Sequence, residues 1–378
     1  MQPKIWLSSP HMGGNERKFI NEAFDTNWLA PLGPNVNGLE KDIARFLLPE
    51  KENNIHVAVL SSGTAAIHLG LILLDIKPGD EVICQSMTFS ASANPIAYQG
   101  ATPVFIDSES DTWNMSPEFL EKAIKDRIAK GKKPKAIIPV HLYGMPAKMD
   151  EIMAIANRYE IPVLEDAAEA LGSHTNGKKC GTYGIISVLS FNGNKIITTS
   201  GGGAMVAHEP ELAEKARFLS TQARDPAPHY QHSHIGYNYR MSNICAGIGR
   251  GQMEVLPERV SQRRANFEWY NKVLSDIDAI HLLKEPDGYY SNRWLTTVLI
   301  KHQAITRETL RLALDKLNIE SRPLWKPMHC QPVFKDAPFY GDGTAEKLFE
   351  DGLCLPSGSN LTDEERDRIL KEIKAVFS

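Results

Sequence analysis

Between residues 55 and about 210 the chain alternates short apolar runs with longer amphipathic stretches. The runs are IHVAVL (55–60), EVICQ (81–85), TPVFID (102–107), AIIPVH (136–141), IPVLED (161–166), ISVLSF (186–191) and GAMVAH (203–208). They are rich in Val and Ile and bounded by Gly, Pro, Asp or Ser, as strands buried on both faces usually are. The stretches between them carry a helical period. Residues 64–74 align Ala65, Leu69, Ile72 and Leu73, and residues 147–159 align Met149, Ile152, Met153 and Ile155 after a loop at Gly144-Met145-Pro146. Such alternation predicts an α/β fold with a mostly parallel, seven-stranded sheet covered by helices on both faces.

Past residue 210 the pattern changes. The sequence predicts a long, charged helix over roughly 244–278, a strand-like run Trp294–Ile300, a helix near 306–317, the segment SRPLW and a last helix from about 362. These elements read as a smaller C-terminal α/β domain, dividing the chain into 1–245 and 246–378. The first 45 residues read as an arm and loop, with turns at Gly13-Gly14 and Pro31-Leu32-Gly33-Pro34.

Composition narrows the function classes. The 378 residues are 42% hydrophobic and 23% charged, which excludes a mainly disordered chain or a small disulfide scaffold. A net charge of -4 lacks the basic excess of a nucleic-acid binder, yet allows a local basic pocket for an anionic small molecule. The five cysteines show no C-x-x-C spacing, so free, mostly buried thiols in a reducing compartment are expected, with no metal site. No apolar run of about 18 residues exists, and the start, Met1-Gln2-Pro3-Lys4-Ile5-Trp6, lacks a signal-peptide core. The expectation is a cytoplasmic protein with no membrane partner.

Ligands of parallel α/β sheets sit at the carboxyl ends of strands, so the residues that follow each run carry the chemical information. After IHVAVL comes Ser61-Ser62-Gly63-Thr64-Ala65-Ala66. Small residues opening a helix suit a phosphate, because the first N–H groups are unpaired and carry partial positive charge. The same residues also suit an ordinary helix start capped by Ser62 or Thr64. At the end of IPVLED sit Glu165 and Asp166, followed by Ala167-Ala168-Glu169; an acid there could serve a metal, a ribose or a protonated ring nitrogen, or simply cap a helix. ISVLSF ends in Ser190-Phe191 and runs on into Asn192-Gly193-Asn194-Lys195, followed by Gly201-Gly202-Gly203. Lysine forms Schiff bases with carbonyl compounds, although a single lysine is more often a surface residue. The ordered set of cradle, strand-end Asp and strand-end Lys is what pyridoxal phosphate requires: an amine for its aldehyde, an acid for its ring nitrogen and donors for its phosphate.

At these residues the chain resembles the fold-type I pyridoxal-phosphate aminotransferases, and more narrowly the sugar aminotransferases of the DegT/DnrJ/EryC1/StrS family. The matching stretches run from about Ser8 to Ser357: SSGTAAIHL, TFSASANPI, ATPVFID, HLYG, LEDAAEALGS, SFNGNKIITTSGGG, GYNYRMSN and RPLWKPMH. HMGGNE, APLG, NGNKIITTSGGG, STQAR and SNRWL are most similar to bacterial UDP-4-keto-sugar aminotransferases that make UDP-N-acetylbacillosamine precursors for protein glycosylation.

The resemblance implies roles by position. Lys195 would hold pyridoxal phosphate covalently, with pyridoxamine phosphate as the alternate form. Asp166 would pair with the ring nitrogen. Ser62, Gly63, Thr64 and Ser190 would bind the phosphate, and Phe89 would stack on the ring. Asn238 would reach the phosphate from the second subunit of a homodimer with shared active sites. Many relatives carry Gln where this chain has Glu169, near the ring's phenolic oxygen. A carboxylate there must be protonated or turned away. A nucleotide sugar calls for cations and a flat wall. Candidates for the charges are Arg224, Arg240, Arg322, Lys326 and His329, and for the wall Trp28, Trp294 and Trp325. Arg240 is also a candidate for the carboxylate of the amino donor. The implied activity is amino transfer from L-glutamate to C4 of a UDP-linked 4-keto-6-deoxy-N-acetylhexosamine. A GDP- or dTDP-linked sugar, or a non-catalytic regulator, are the alternatives.

Overall fold

The computed structural model describes residues 3–50 and 54–378. All seven expected strands form: β1 (His56–Leu60), β2 (Glu81–Gln85), β3 (Thr102–Ile106), β4 (Ala136–Ile138), β5 (Leu164–Asp166), β6 (Ile186–Ser190) and β7 (Gly203–Ala207). Ladders give the orders β1-β7-β6-β5 and β3-β2-β4. Parallel bridges Ile137↔Val163 and Val140↔Asp166 join the two halves into one sheet. Only β7 runs antiparallel to its neighbours, β1 and β6. Central strands such as β2 and β7 are buried along their whole length, because helices cover both faces.

The expected helices are present at Gly63–Leu73, Met149–Arg158, Asn243–Val273, Arg307–Lys316 and Asp363–Phe377. Thr306 and Thr362 start the last two through capping boxes. The first 45 residues correct the arm-and-loop expectation, for they contain helices Glu16–Asp25 and Pro34–Leu47. Pro34 occupies the first helical position, where its missing N–H costs nothing. Val36, Leu39, Ile43 and Leu47 then bury one face in the core beneath β1 and β7.

The smaller unit is an antiparallel sheet in the order Ile280–Leu282, Thr296–Ile300, Gly352–Leu355, Arg322–Pro323. Residue 245 falls in the first turn of the helix Asn243–Val273. Ala246, Met253, Leu256 and Val260 of that helix pack in the large core, while Tyr270 packs in the small one. Ile5 also belongs to the small core and bridges Ile319, so the N-terminal arm spans both units. No helix among the described residues is long and apolar enough to cross a membrane. All five cysteines are free thiols.

Candidate active site

A cleft of about 650 Å³ opens at the carboxyl ends of β1, β5 and β6, between the two units. Ser62, Gly63, Thr64, Phe89, Asp166, Glu169, Ser190 and Lys195 all line it, together with Trp294, Arg322 and Trp325.

One end is a backbone cradle. Ser62 caps the helix Gly63–Leu73 by accepting the Ala65 N–H at 3.0 Å. The Ala66 N–H bonds the Ser62 carbonyl at 3.2 Å. Among the described residues the Gly63 and Thr64 N–H groups take no protein acceptor, and both residues face the cleft. Close packing fixes this turn. A Cβ on Gly203 would lie 2.4 Å from the Gly63 nitrogen, and one on Gly63 3.2 Å from Cβ of Ser190. The glycine run therefore permits β7 to pass directly under the cradle, whereas Gly201 lines the cleft itself.

Asp166 ends β5 and is buried. Ser92 donates to its Oδ2 at 2.7 Å, the Ala168 N–H donates to Oδ1 at 3.1 Å, and Thr88 pairs with Ser92 at 2.7 Å. Burial raises the Asp166 carboxyl above its usual range, against the opposing pull of these donors and of Lys195. A protonated ring nitrogen is the partner such a carboxylate lacks. Its neighbour Glu165 points the other way. It accepts from the Gly181, Tyr183 and Gly184 N–H groups, from Ser187 and from His141, and so pins the loop before β6.

Lys195 follows β6, with its side chain 11% exposed. Its Nζ lies 3.1 Å from Oε1 of Glu169 and 4.0 Å from the centre of the Trp294 ring. The other Glu169 oxygen accepts the Tyr143 N–H at 2.7 Å. Burial pushes the Glu169 carboxyl up to about 7, with Lys195 and the Tyr143 N–H holding it down in part. The Glu169 carboxylate thus faces the lysine, with its affinity for a proton raised by burial. Tyr143 is itself buried in a left-handed conformation at φ 54°, strain of the kind concentrated at functional sites. Its hydroxyl accepts the Trp325 N–H at 2.8 Å, so one residue ties the acid to the aromatic wall. Phe89 is 55% exposed, with its ring 5.6 Å from that of Trp325.

Six expected residues lie outside this chain's cleft. Arg240 is buried, donating to Glu40 at 2.7 Å and to the Val59 carbonyl at 2.8 Å, and is not free to hold a donor carboxylate. His329 is held by Ser86 at 2.6 Å and Glu346 at 3.1 Å and stacks on Phe339. Lys326 is exposed. Trp28 lies beside the start of the Asn243–Val273 helix, its carbonyl accepting from Asn243 at 3.0 Å. Arg224 is exposed over the Tyr230 ring at 4.3 Å, and Asn238 is exposed in a bridge with Thr221. Sequence reasoning missed Trp6, Leu7 and Ser8 of the arm, and also Ser92, Tyr143 and Glu320. Ser92 and Tyr143 stood inside TFSASANPI and HLYG, where burial next to Asp166 and Glu169 could have marked them. The arm carries no local signal.

The residues present fit pyridoxal phosphate: two free N–H groups in a glycine-shaped cradle, a buried acid, and a lysine across the cleft. The fold and this set define a pyridoxal-phosphate-dependent aminotransferase of fold-type I. Residues 10–374 match the DegT/DnrJ/EryC1/StrS aminotransferase family, and the chain belongs to it. It is 51% identical over 381 residues to the proposed pyridoxal phosphate-dependent aminotransferase EpsN of Bacillus subtilis, covering 100% of this chain and 97% of the relative. It is 38% identical over 379 residues to the GDP-perosamine synthase of Caulobacter vibrioides, covering 99% of each. The pyridoxal-phosphate form of a proposed sugar aminotransferase, Spr1654 of Streptococcus pneumoniae, superimposes with a TM-score of 0.89 at 27% identity, covering 99% of this chain and 98% of that one. Spr1654 is also solved in its pyridoxamine-phosphate form. The protein is thus a transaminase that uses pyridoxal phosphate.

Proposed function

We propose that the enzyme transfers the amino group of L-glutamate to C4 of a UDP-linked 4-keto-6-deoxy-N-acetylhexosamine, releasing 2-oxoglutarate and the UDP-4-amino sugar. The observation that carries the aminotransfer reading is the pairing of Lys195 with a buried Asp166 across one cleft. Pyridoxal phosphate supplies an aldehyde that bonds amines and a ring that accepts electrons from the adjoining carbon. Gly63, Thr64 and Ser190 would bind its phosphate, and Asp166 would hold its ring nitrogen protonated. Nζ of Lys195 would take the proton from the donor's Cα. It later returns a proton at C4 of the sugar. Glu169 accepts or donates a proton beside that amine, as its position near neutrality permits. Phe89 would stack on the cofactor ring, and Trp294 and Trp325 would form an apolar wall for the sugar and base.

Lys195 and Arg322 are the only cations among the described residues of the cleft, and Arg322 is 67% exposed and paired with Glu320. One chain thus offers little charge to a diphosphate. This supports a homodimer in which Asn238, Arg224 and Trp28, exposed on this chain, complete the cleft of the partner. The exposed apolar residues Tyr230 and Ile235 of the same segment fit a covered face.

The likeness to a GDP-perosamine synthase favours a second reading, a GDP-linked 4-keto-6-deoxy sugar. Turnover with L-glutamate and each keto-sugar nucleotide, read by mass spectrometry of the product, separates them. A UDP-amino sugar formed at least tenfold faster supports the first reading. Preference for the GDP sugar overturns it.

A further inference from the structure

Among the described residues Arg263 is the largest fully buried side chain and has no carboxylate partner. An unpaired buried cation is costly and persists only where its hydrogen bonds serve something. Its Nη1 donates to the carbonyls of Trp294 and Ser357, and its Nη2 donates to the Ser8 hydroxyl at 2.9 Å. Burial pushes the guanidinium down to about 9, with Arg259 adding repulsion. Arg263 does not line the cleft.

Both of its nearer partners lead to the same atom. Ser8 donates to the Asn194 carbonyl at 2.7 Å, and the Trp294 indole N–H donates to it at 2.7 Å. That carbonyl belongs to the peptide unit whose N–H is that of Lys195. The N–H in turn donates to the Asn192 carbonyl at 3.0 Å. The peptide entering the lysine is therefore held at both ends, and the Trp294 ring lies against Nζ as well. Arg263 is one rung of a polar ladder on the helix Asn243–Val273. Gln252 donates to the His11 carbonyl at 3.0 Å and Arg259 to the Met12 carbonyl at 2.9 Å. These spacings of seven and four residues keep the rungs on one face, and that face grips the N-terminal arm.

We propose that Arg263 is the positioning residue of Lys195, acting through Ser8 and Trp294 on the Asn194 carbonyl so that the arm, the small unit and the lysine loop are set by one guanidinium. Lysine at this position carries its donors on one nitrogen and cannot reproduce the planar fork that sets Nη1 on two carbonyls and Nη2 on Ser8.

The inference rests on the reading of Lys195 as the cofactor lysine, and the test separates the two. Apoprotein is mixed with pyridoxal phosphate and the visible band of the lysine-bound cofactor is recorded against pH. The bleaching of that band by L-glutamate is then timed in a single turnover. A parent protein that forms no band overturns the Lys195 reading itself. With the band present, Arg263→Met and Ser8→Ala are each expected to slow bleaching about tenfold or more. Arg263→Met is also expected to move the pH midpoint of the band down by on the order of half a unit, as the ring loosens from Nζ. Cofactor content should stay near one per chain, and Arg263→Lys should recover only part of the rate. The double variant should be no slower than the slower single one, because both act on one carbonyl. If Arg263→Met fails to fold, Ser8→Ala decides alone, since it leaves the guanidinium in place. Parent-like bleaching and midpoint, or a loss traced wholly to weaker cofactor binding, overturns the proposal.

Discussion

Nζ of Lys195 stands 3.1 Å from Oε1 of Glu169, inside a cleft where Asp166 is the next acid. Two carboxyls and one amine thus share the buried end of the cleft. Burial raises both acids while the amine restrains them. The chemistry is set by how these three divide the protons.

Removing the amine should stop the reaction and leave the site. Lys195→Ala is expected to bind pyridoxamine phosphate but to lose at least about a thousandfold in amino transfer, since covalent attachment and proton transfer both depend on it. Product formation followed by mass spectrometry checks this. Turnover comparable to the parent would contradict it.

Glu169 gives a stability prediction with a definite sign. Its carboxyl sits at about 7 in the folded protein against 4.5 for the free side chain. The folded state therefore holds the proton more tightly, and the group favours folding at low pH. That advantage is lost as pH rises from about 4.5 through 7. Glu169→Gln removes the titration. The apoprotein variant should gain on the parent by about 2–3 kcal/mol between pH 5 and 8. Urea unfolding at both pH values measures it, and parallel curves at both would refute it.

Asp166→Asn keeps the shape of the site but removes the charge proposed to face the ring nitrogen. Single-turnover bleaching by L-glutamate should fall by about 10²–10⁴. Ser92→Ala, which removes one donor to Asp166, should cost far less, about tenfold or under. An equal loss for both would argue that the hydroxyl, not the carboxylate, matters.

Arg240 and Glu40 form a buried pair whose loss should show in stability, not in donor binding. Glu40→Gln leaves the Arg240 guanidinium buried without its carboxylate and should destabilise the protein by about 3 kcal/mol. The KM for L-glutamate should be unchanged. Equilibrium unfolding with steady-state kinetics checks both, and a raised KM with normal stability would restore Arg240 to the donor site.

Much of the fold was legible because its signals are local. Each β-strand of the large sheet is a Val- and Ile-rich run, and Thr306 and Thr362 announce their helices by capping. The helices Glu16–Asp25 and Pro34–Leu47 were hidden by Gly and Pro residues that read as turns, although Pro34 starts one of them. The gathering of Gly63, Asp166, Ser190 and Lys195 in one cleft was legible because strand ends, glycines and a lysine follow in order. The substrate end was not. Arg240 and His329 are held away from the cleft by long-range partners, Glu40 and Ser86, whereas Arg322 faces it beside its near neighbour Glu320, and no sequence signal tells the three apart. Ser8 and Trp294 meet at Asn194 from distant parts of the chain. No spacing rule reports that.

The most direct test of the central claim is the absorbance spectrum of the purified protein before and after adding L-glutamate without any sugar. The account predicts a visible band from the Lys195-bound cofactor that bleaches to the pyridoxamine-phosphate spectrum, with one equivalent of 2-oxoglutarate released. A protein without the band, or with a band indifferent to L-glutamate, would contradict the lysine chemistry or the donor.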